Sequence, residues 1–191
     1  MIKLKIPISD EEIRKLKVGD AVLLSGVIAT GRDEAHKLMI EEKPDFIRDV
    51  LKESVIYHCG PVVKQDKNGV WSFVSAGPTT SMREEPYQAD VVCEYNIRGV
   101  IGKGGMGAQT AAGLKKCGAV YFHAVGGAGT LIADAVKKVI TVHKLEEFGT
   151  PEAFWVIEVE DFPLVVTMDS HGGSLHKEIL EKSQKIAEGL M

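Results

Sequence analysis

The stretch RGVIGKGGMGAQTAAGLKKCGAVYFHAV, Arg98 to Val125, carries the argument for the fold. RGVIG reads as a short buried strand, and GAQTAAGLKKCG as a helix that Gly118 closes. AVYFHAV is then a second strand, and GTLIADAVKKVI beyond it reads as a second helix. Strand, helix, strand, helix in that order predicts parallel β-α units in this half of the chain.

Toward the N-terminus, VGDAVLLSGVIAT (Val18 to Thr30) is rich in β-branched and apolar residues after a Gly-Asp turn and predicts one or two strands. RDEAHKLMIEE follows as a helix, Pro44 opens a second in PDFIRDVLKE, and SVIYHCG reads as a short strand. KQDKNGVWSFV places an Asn68-Gly69 turn ahead of a strand, the mark of a hairpin, and YQADVVCEYNI is helical in pattern. Toward the C-terminus, AFWVIEVEDFPLVVTMD predicts two strands broken around Asp161-Phe162-Pro163, and SLHKEILEKSQKIAEGLM an amphipathic terminal helix. The fold class expected is α/β, a single mixed-sheet domain over residues 1–191 with helices packed on the sheet.

Composition narrows the function. The chain has 191 residues, 45% hydrophobic and 26% charged, enough for one sizeable core. A net charge of −4 offers no basic field for phosphate tracking, so no nucleic-acid partner is expected. The opening Met1 to Pro7 is short and interrupted by lysines, unlike a secretory signal, and no apolar run approaches a membrane span. The expected location is cytoplasmic, with no membrane association. Cys59, Cys93 and Cys117 are widely spaced, with no CxxC pair or zinc pattern, and read as reduced, mostly buried thiols.

Four glycine-flanked polar motifs fall at predicted strand ends, where open α/β sheets place their ligands. They are Gly31-Arg32-Asp33, GPTTSMR from Gly77 to Arg83, GKGGMG from Gly102 to Gly107, and Gly126-Gly127-Ala128-Gly129. Glycines let backbone N–H groups approach a ligand, and a following helix adds a partly positive end. With Arg32, Arg83 and Lys103 as cations, the set suits a small dicarboxylate better than a nucleotide. A P-loop is excluded because Lys103 is followed by Gly104 rather than Ser or Thr.

Local grounds leave other readings open. Arg32 also fits a surface charge at a helix start, Thr79 and Thr80 fit turn or N-cap residues, and Lys103 fits a solvated turn.

In this order, GDAVLLSGVIATGRDEAHK, GPTTSMR, GKGGMG and WVIEVEDFPLVVTMDSHG resemble the beta subunit of class I fumarate hydratases and L-tartrate dehydratases, over nearly the whole chain. The resemblance implies a swivelling β/β/α domain and a hydro-lyase of the fumarate hydratase class. It places an oxygen-sensitive 4Fe-4S cluster and its cysteine ligands on a partner alpha subunit, with no metal ligand in this chain. It implies a site shared between the two subunits, within a higher assembly of heterodimers.

By the same resemblance Thr79 matches the catalytic base, and Arg32, Arg83 and Lys103 match the substrate-binding cations. Asp33, His36, Thr80 and His171 are supporting positions, with His36 steadying Arg32 or Asp33. One departure stands out: where relatives carry Met and an acidic residue after the arginine, this chain has Glu84 and Glu85, adding negative charge beside the site. SMR within the motif leans toward the two-subunit group that includes tartrate dehydratases. The competing readings are a non-catalytic anion-binding module and a stand-alone lyase or isomerase. Intact Thr79, Arg83 and Lys103 count against the first, and the lack of an in-chain acid, metal pair or Cys/His nucleophile against the second.

Overall fold

The computed structural model describes residues 1–190. In chain order the strands are β1 (Ile2–Lys5), β2 (Ala21–Thr30), β3 (Val55–Tyr57), β4 (Val62–Gln65), β5 (Trp71–Ser75), β6 (Gly99–Gly102), β7 (Val120–His123), β8 (Val136–His143) and β9 (Phe154–Met168). The helices are α1 (Asp10–Lys15), α2 (Asp33–Glu41), α3 (Arg48–Leu51), α4 (Glu85–Glu94), α5 (Ala108–Cys117), α6 (Gly129–Ala133), α7 (Leu145–Phe148) and α8 (Leu175–Glu188).

Seven strands form one mixed sheet in the order β1-β2-β3-β6-β7-β9-β8, and β9 pairs with β2 as well. The pairings β2-β3-β6-β7-β9-β2 therefore close on themselves as a ring. Period-two alternation divides the apolar residues between its faces. Val55, Tyr57, Ile101, Phe122, Trp155 and Ile157 share one core within the ring. Ile56, Val100, Tyr121 and Val156 face outward, where Met39 of α2, Val91 of α4 and Leu114 of α5 cover them. The mixed α/β expectation holds, and β3, β6 and β7 run parallel as the strand-helix rhythm requires.

Two sequence expectations fail at β8 and β9. GTLIADAVKKVI does not make one helix: α6 lasts five residues and the chain enters β8 at Val136. Val136, Val139, Ile140, Thr141 and Val142 are β-branched, and pairing with Phe154 to Val159 of β9 decides the matter over local helical spacing. AFWVIEVEDFPLVVTMD is one 15-residue strand instead of two. Asp161 takes a left-handed conformation at φ 49° and its N–H donates to Ser25 Oγ, so the irregularity is absorbed as a bulge opposite Leu24 and Gly26.

PDFIRDVLKE is also shorter than expected, a 3-10 turn at Asp45–Ile47 and then the single turn α3. The hairpin at Asn68-Gly69 forms as read, with the Asp66 carboxylate accepting from the N–H groups of Asn68 and Val70.

The cysteines correct a further expectation. Cys59 is buried and free, but Cys93 and Cys117 form a disulfide with Cα atoms 5.5 Å apart. One turn earlier on each helix, Gly113 lies against Ala89, and a Cβ at Gly113 would come within 2.9 Å of it. The small pair lets α4 and α5 approach, which brings the two sulfurs together. Closing a 24-residue separation stabilises the fold by about 3 kcal/mol in the loop-entropy account.

Candidate active site

The site is built where β2, β3 and β6 end. After Tyr57, the chain continues through His58, whose N–H donates to the Ile101 carbonyl of β6. Thr79 then slots between the two extensions. Its N–H donates to the His58 carbonyl at 2.7 Å, and its carbonyl accepts from Lys103 N–H at 3.2 Å. Ser81 N–H donates to the Lys103 carbonyl at 3.1 Å, completing a short parallel pairing of Thr80 with Lys103. The backbone of GPTTSMR is thus held as added sheet, while the half-buried Thr79 hydroxyl makes no hydrogen bond to the protein among the described residues.

Two close approaches require glycine. A Cβ at Gly102 would collide with Ser81 Oγ and come within 2.9 Å of the Tyr121 hydroxyl. At Gly60 it would sit 2.5 Å from Arg32 Nη1, so the guanidinium can lie across this turn only over a glycine.

The cations differ in their pairing. Arg32, at the N-cap of α2, is mostly buried and lies 3.2 Å from Glu152 and 3.9 Å from Asp33. Arg83 is half exposed and grips Asp33 at 2.6 Å. Asp33 therefore links the two arginines. Lys103 forms no ion pair among the described residues, and Gly126 of the fourth glycine motif lies beside its side chain. Thr79, Thr80, Arg32, Asp33, Arg83 and Lys103 thus share one edge of the sheet. His171 is elsewhere: it follows β9, whose last residue pairs with the second residue of β7, and its Nε2 contacts the Arg14 carbonyl at 2.7 Å. That puts it at the opposite edge, so it is not part of this constellation.

His36 lies beneath the site, fully buried, with Nδ1 2.8 Å from the Arg32 carbonyl and Nε2 3.0 Å from the Gln88 amide. His58 reaches the same amide at 2.7 Å, and its Nδ1 is 2.8 Å from Ser81 Oγ, which also accepts from the Tyr121 hydroxyl. Burial lowers the pKa of both histidines. His58, Gln88 and Glu152 carried no sequence signal because their roles depend on partners far along the chain, and Ser81 was visible only as a letter of GPTTSMR.

Glu84 and Glu85 both turn inward. Glu85 accepts from the N–H groups of Gly107, Gln109 and Thr110 and from the Thr110 hydroxyl, at 2.7 to 3.2 Å. The positive end of α5, expected to help bind a ligand, is therefore satisfied by the protein's own carboxylate. This also disposes of a dinucleotide. GKGGMG does carry the letters G-x-G-x-x-G between a strand and a helix, but Glu85 occupies the place a pyrophosphate would take.

Glu84 is fully buried, and neither of its carboxyl oxygens finds a hydrogen-bond partner. Burial, then the Asp33 carboxylate, pushes its pKa up to about 7, with Arg83 and Arg32 opposing. The native state then holds a proton that the unfolded chain releases, so stability falls as pH rises through the interval from 4.5 to about 7. Relative to Glu84→Gln, the wild type is expected to lose about 2 kcal/mol between about pH 5 and pH 8, discounted for solvent around Arg83. Urea titrations of both proteins at each pH check this, and the comparison cancels the opposite trend from His36 and His58. Parallel pH dependences would refute it.

Among the described residues no three His, Cys, Asp or Glu side chains gather to hold a metal. Cys59, the free thiol, has its pKa pushed up to about 12 by burial and is a poor thiolate ligand. No helix among the described residues is long and apolar enough to cross a membrane.

A family model described as Fumarase C-terminus matches residues 1–179. The chain is 53% identical over 183 residues to a putative fumarate hydratase class I of Geobacillus stearothermophilus, covering 96% of this chain but 35% of that protein. The chain thus spans about a third of that relative's length. It is 44% identical to a putative L(+)-tartrate dehydratase subunit beta of Methanocaldococcus jannaschii, covering 92% of this chain and 91% of the relative. To the L(+)-tartrate dehydratase subunit beta of Escherichia coli K12 it is 39% identical, covering 97% and 90%. Matched by the family model over residues 1–179 and by these relatives over almost all of its length, the chain belongs to the fumarase C-terminus family.

Proposed function

We propose that this chain is the beta subunit of an iron–sulfur-dependent class I hydro-lyase that hydrates fumarate reversibly to L-malate. The observation that carries this reading is the insertion of Thr79 between the ends of β3 and β6, beside Lys103 and on the edge that presents Arg32 and Arg83. A dicarboxylate needs cations at fixed separation. Three cations against Asp33 and Glu152, with Glu84 partly protonated, leave the pocket net positive.

Dehydration removes a weakly acidic C–H beside a carboxylate, and charge then accumulates on that carboxylate. Preorganised cations stabilise the resulting aci-carboxylate, and Arg83 and Lys103 take this part. Thr79 receives the proton. A neutral hydroxyl is a weak base, so the surrounding positive charge, which favours the alkoxide-like state, is essential to this role. A 4Fe-4S cluster held by a partner subunit would supply Lewis acidity toward the substrate hydroxyl. This chain offers no thiolate set for such a cluster, since Cys59 is buried and Cys93 is bonded to Cys117. The cluster belongs to an alpha subunit facing this edge, in an assembly of such heterodimers.

L-Tartrate is the second candidate substrate. It is favoured by the 44% and 39% identity to relatives named L(+)-tartrate dehydratase subunit beta. The deciding experiment is an anaerobic assay of the complex isolated with this chain, offered fumarate, malate, L-tartrate and mesaconate. Turnover of one of these that dies in air supports the hydro-lyase and identifies its substrate. No cluster-bearing partner and no turnover would overturn it in favour of an anion-binding module.

A further inference from the structure

Beneath the site, two imidazoles converge on one side-chain amide. His36 Nε2 and His58 Nε2 lie 3.0 and 2.7 Å from the same Gln88 atom, placed as Oε1, while Gln88 Nε2 has no partner among the described residues. Hydrogen-bond logic decides the orientation. The Arg32 carbonyl can only accept, so His36 Nδ1 carries a proton. With an oxygen opposite, His36 would also need a proton on Nε2 and would be an imidazolium in a fully buried position. Turning the amide by 180° places its NH2 group there instead, where its two hydrogens meet two imidazole lone pairs.

The rest of the network accepts this arrangement. His58 then carries its proton on Nδ1 and donates to Ser81 Oγ, whose second lone pair accepts from Tyr121. The Glu84 carboxyl lies 4.0 Å from the same Nδ1, a suitable neighbour for an N–H. The Asp33 carboxylate acts on His36 from a distance and favours its protonation, against the larger effect of burial. Each imidazole thus serves a different part of the site: His36 holds the carbonyl of Arg32, and His58 holds Thr79 through its backbone and Ser81 through its ring.

We propose that Gln88 is a positioning residue whose NH2 group donates to Nε2 of both His36 and His58, fixing both as neutral Nδ1–H tautomers and tying the Arg32 turn to the Thr79-to-Ser81 strand. The role in turnover rests on the hydro-lyase reading, whereas the tautomers do not. Long-range proton–nitrogen NMR on the full chain with 15N-labelled histidine reads them directly. Expected are protonated Nδ1 and bare Nε2 in both rings, unchanged between about pH 6 and pH 8. Gln88→Glu presents only acceptors and should place a proton on Nε2 of both rings, so that His36, which keeps Nδ1–H against the Arg32 carbonyl, becomes an imidazolium.

In the unsubstituted chain, an imidazolium at His36 or Nε2–H tautomers would overturn the proposal. In the complex, Gln88→Leu is expected to lower kcat/KM about 10- to 100-fold with assembly and circular dichroism retained. Unchanged kcat/KM would overturn the positioning role. A complex inactive on every substrate tested would instead sink the hydro-lyase reading and leave the tautomer result to stand or fall by itself.

Discussion

Thr79→Ala in the assembled complex is expected to lower turnover about a thousandfold while the complex still assembles. General-base catalysis contributes about a hundred- to ten-thousandfold, and alanine cannot accept the proton. Assembly survives because the strand that carries Thr79 is held by its backbone, through His58 and Lys103, and alanine keeps both bonds. The hydroxyl makes no protein hydrogen bond among the described residues, so its removal leaves no orphaned partner. Anaerobic kcat, measured beside co-purification of the partner chain, checks both halves. Full turnover in this variant would remove Thr79 from the role of base.

Arg83→Ala and Lys103→Ala are each expected to cut kcat/KM about a hundredfold, with different signatures. A charge-assisted bond to a carboxylate is worth about 1.5 to 3 kcal/mol, which sets the scale. Lys103 has no carboxylate partner among the described residues, so its loss removes attraction for the substrate without creating repulsion. It should lower kcat and raise KM together. Removing Arg83 also releases Asp33 from its 2.6 Å pair, leaving a carboxylate balanced only by the 3.9 Å contact with Arg32. Its larger effect should therefore fall on KM. Steady-state kinetics with the preferred substrate separate the two cases, and values within about threefold of wild type would remove that cation from the site.

The glutamates after Arg83 illustrate how position in space revises charge in sequence. They read as extra negative charge beside the ligand. One is instead the cap of α5 and the other a buried carboxyl that holds a proton near neutral pH. Neither outcome was legible locally, because capping depends on residues 22 to 25 positions away and the proton depends on burial.

The sequence by itself determined the alternating strand–helix order around Gly99 to His123, the amphipathic α8 and the hairpin, because side-chain period and turn chemistry are local properties. It also marked Arg32, Thr79, Arg83 and Lys103, since glycine-flanked polar residues at strand ends are visible as letters. Only the tertiary structure decided that Val136 to His143 is a strand, that β9 runs unbroken past Pro163 and closes the ring, and that Cys93 meets Cys117. Only it brought Gln88 between two histidines and moved His171 to the far edge. Those outcomes are set by pairing partners and burial distant in the chain, which no local spacing encodes.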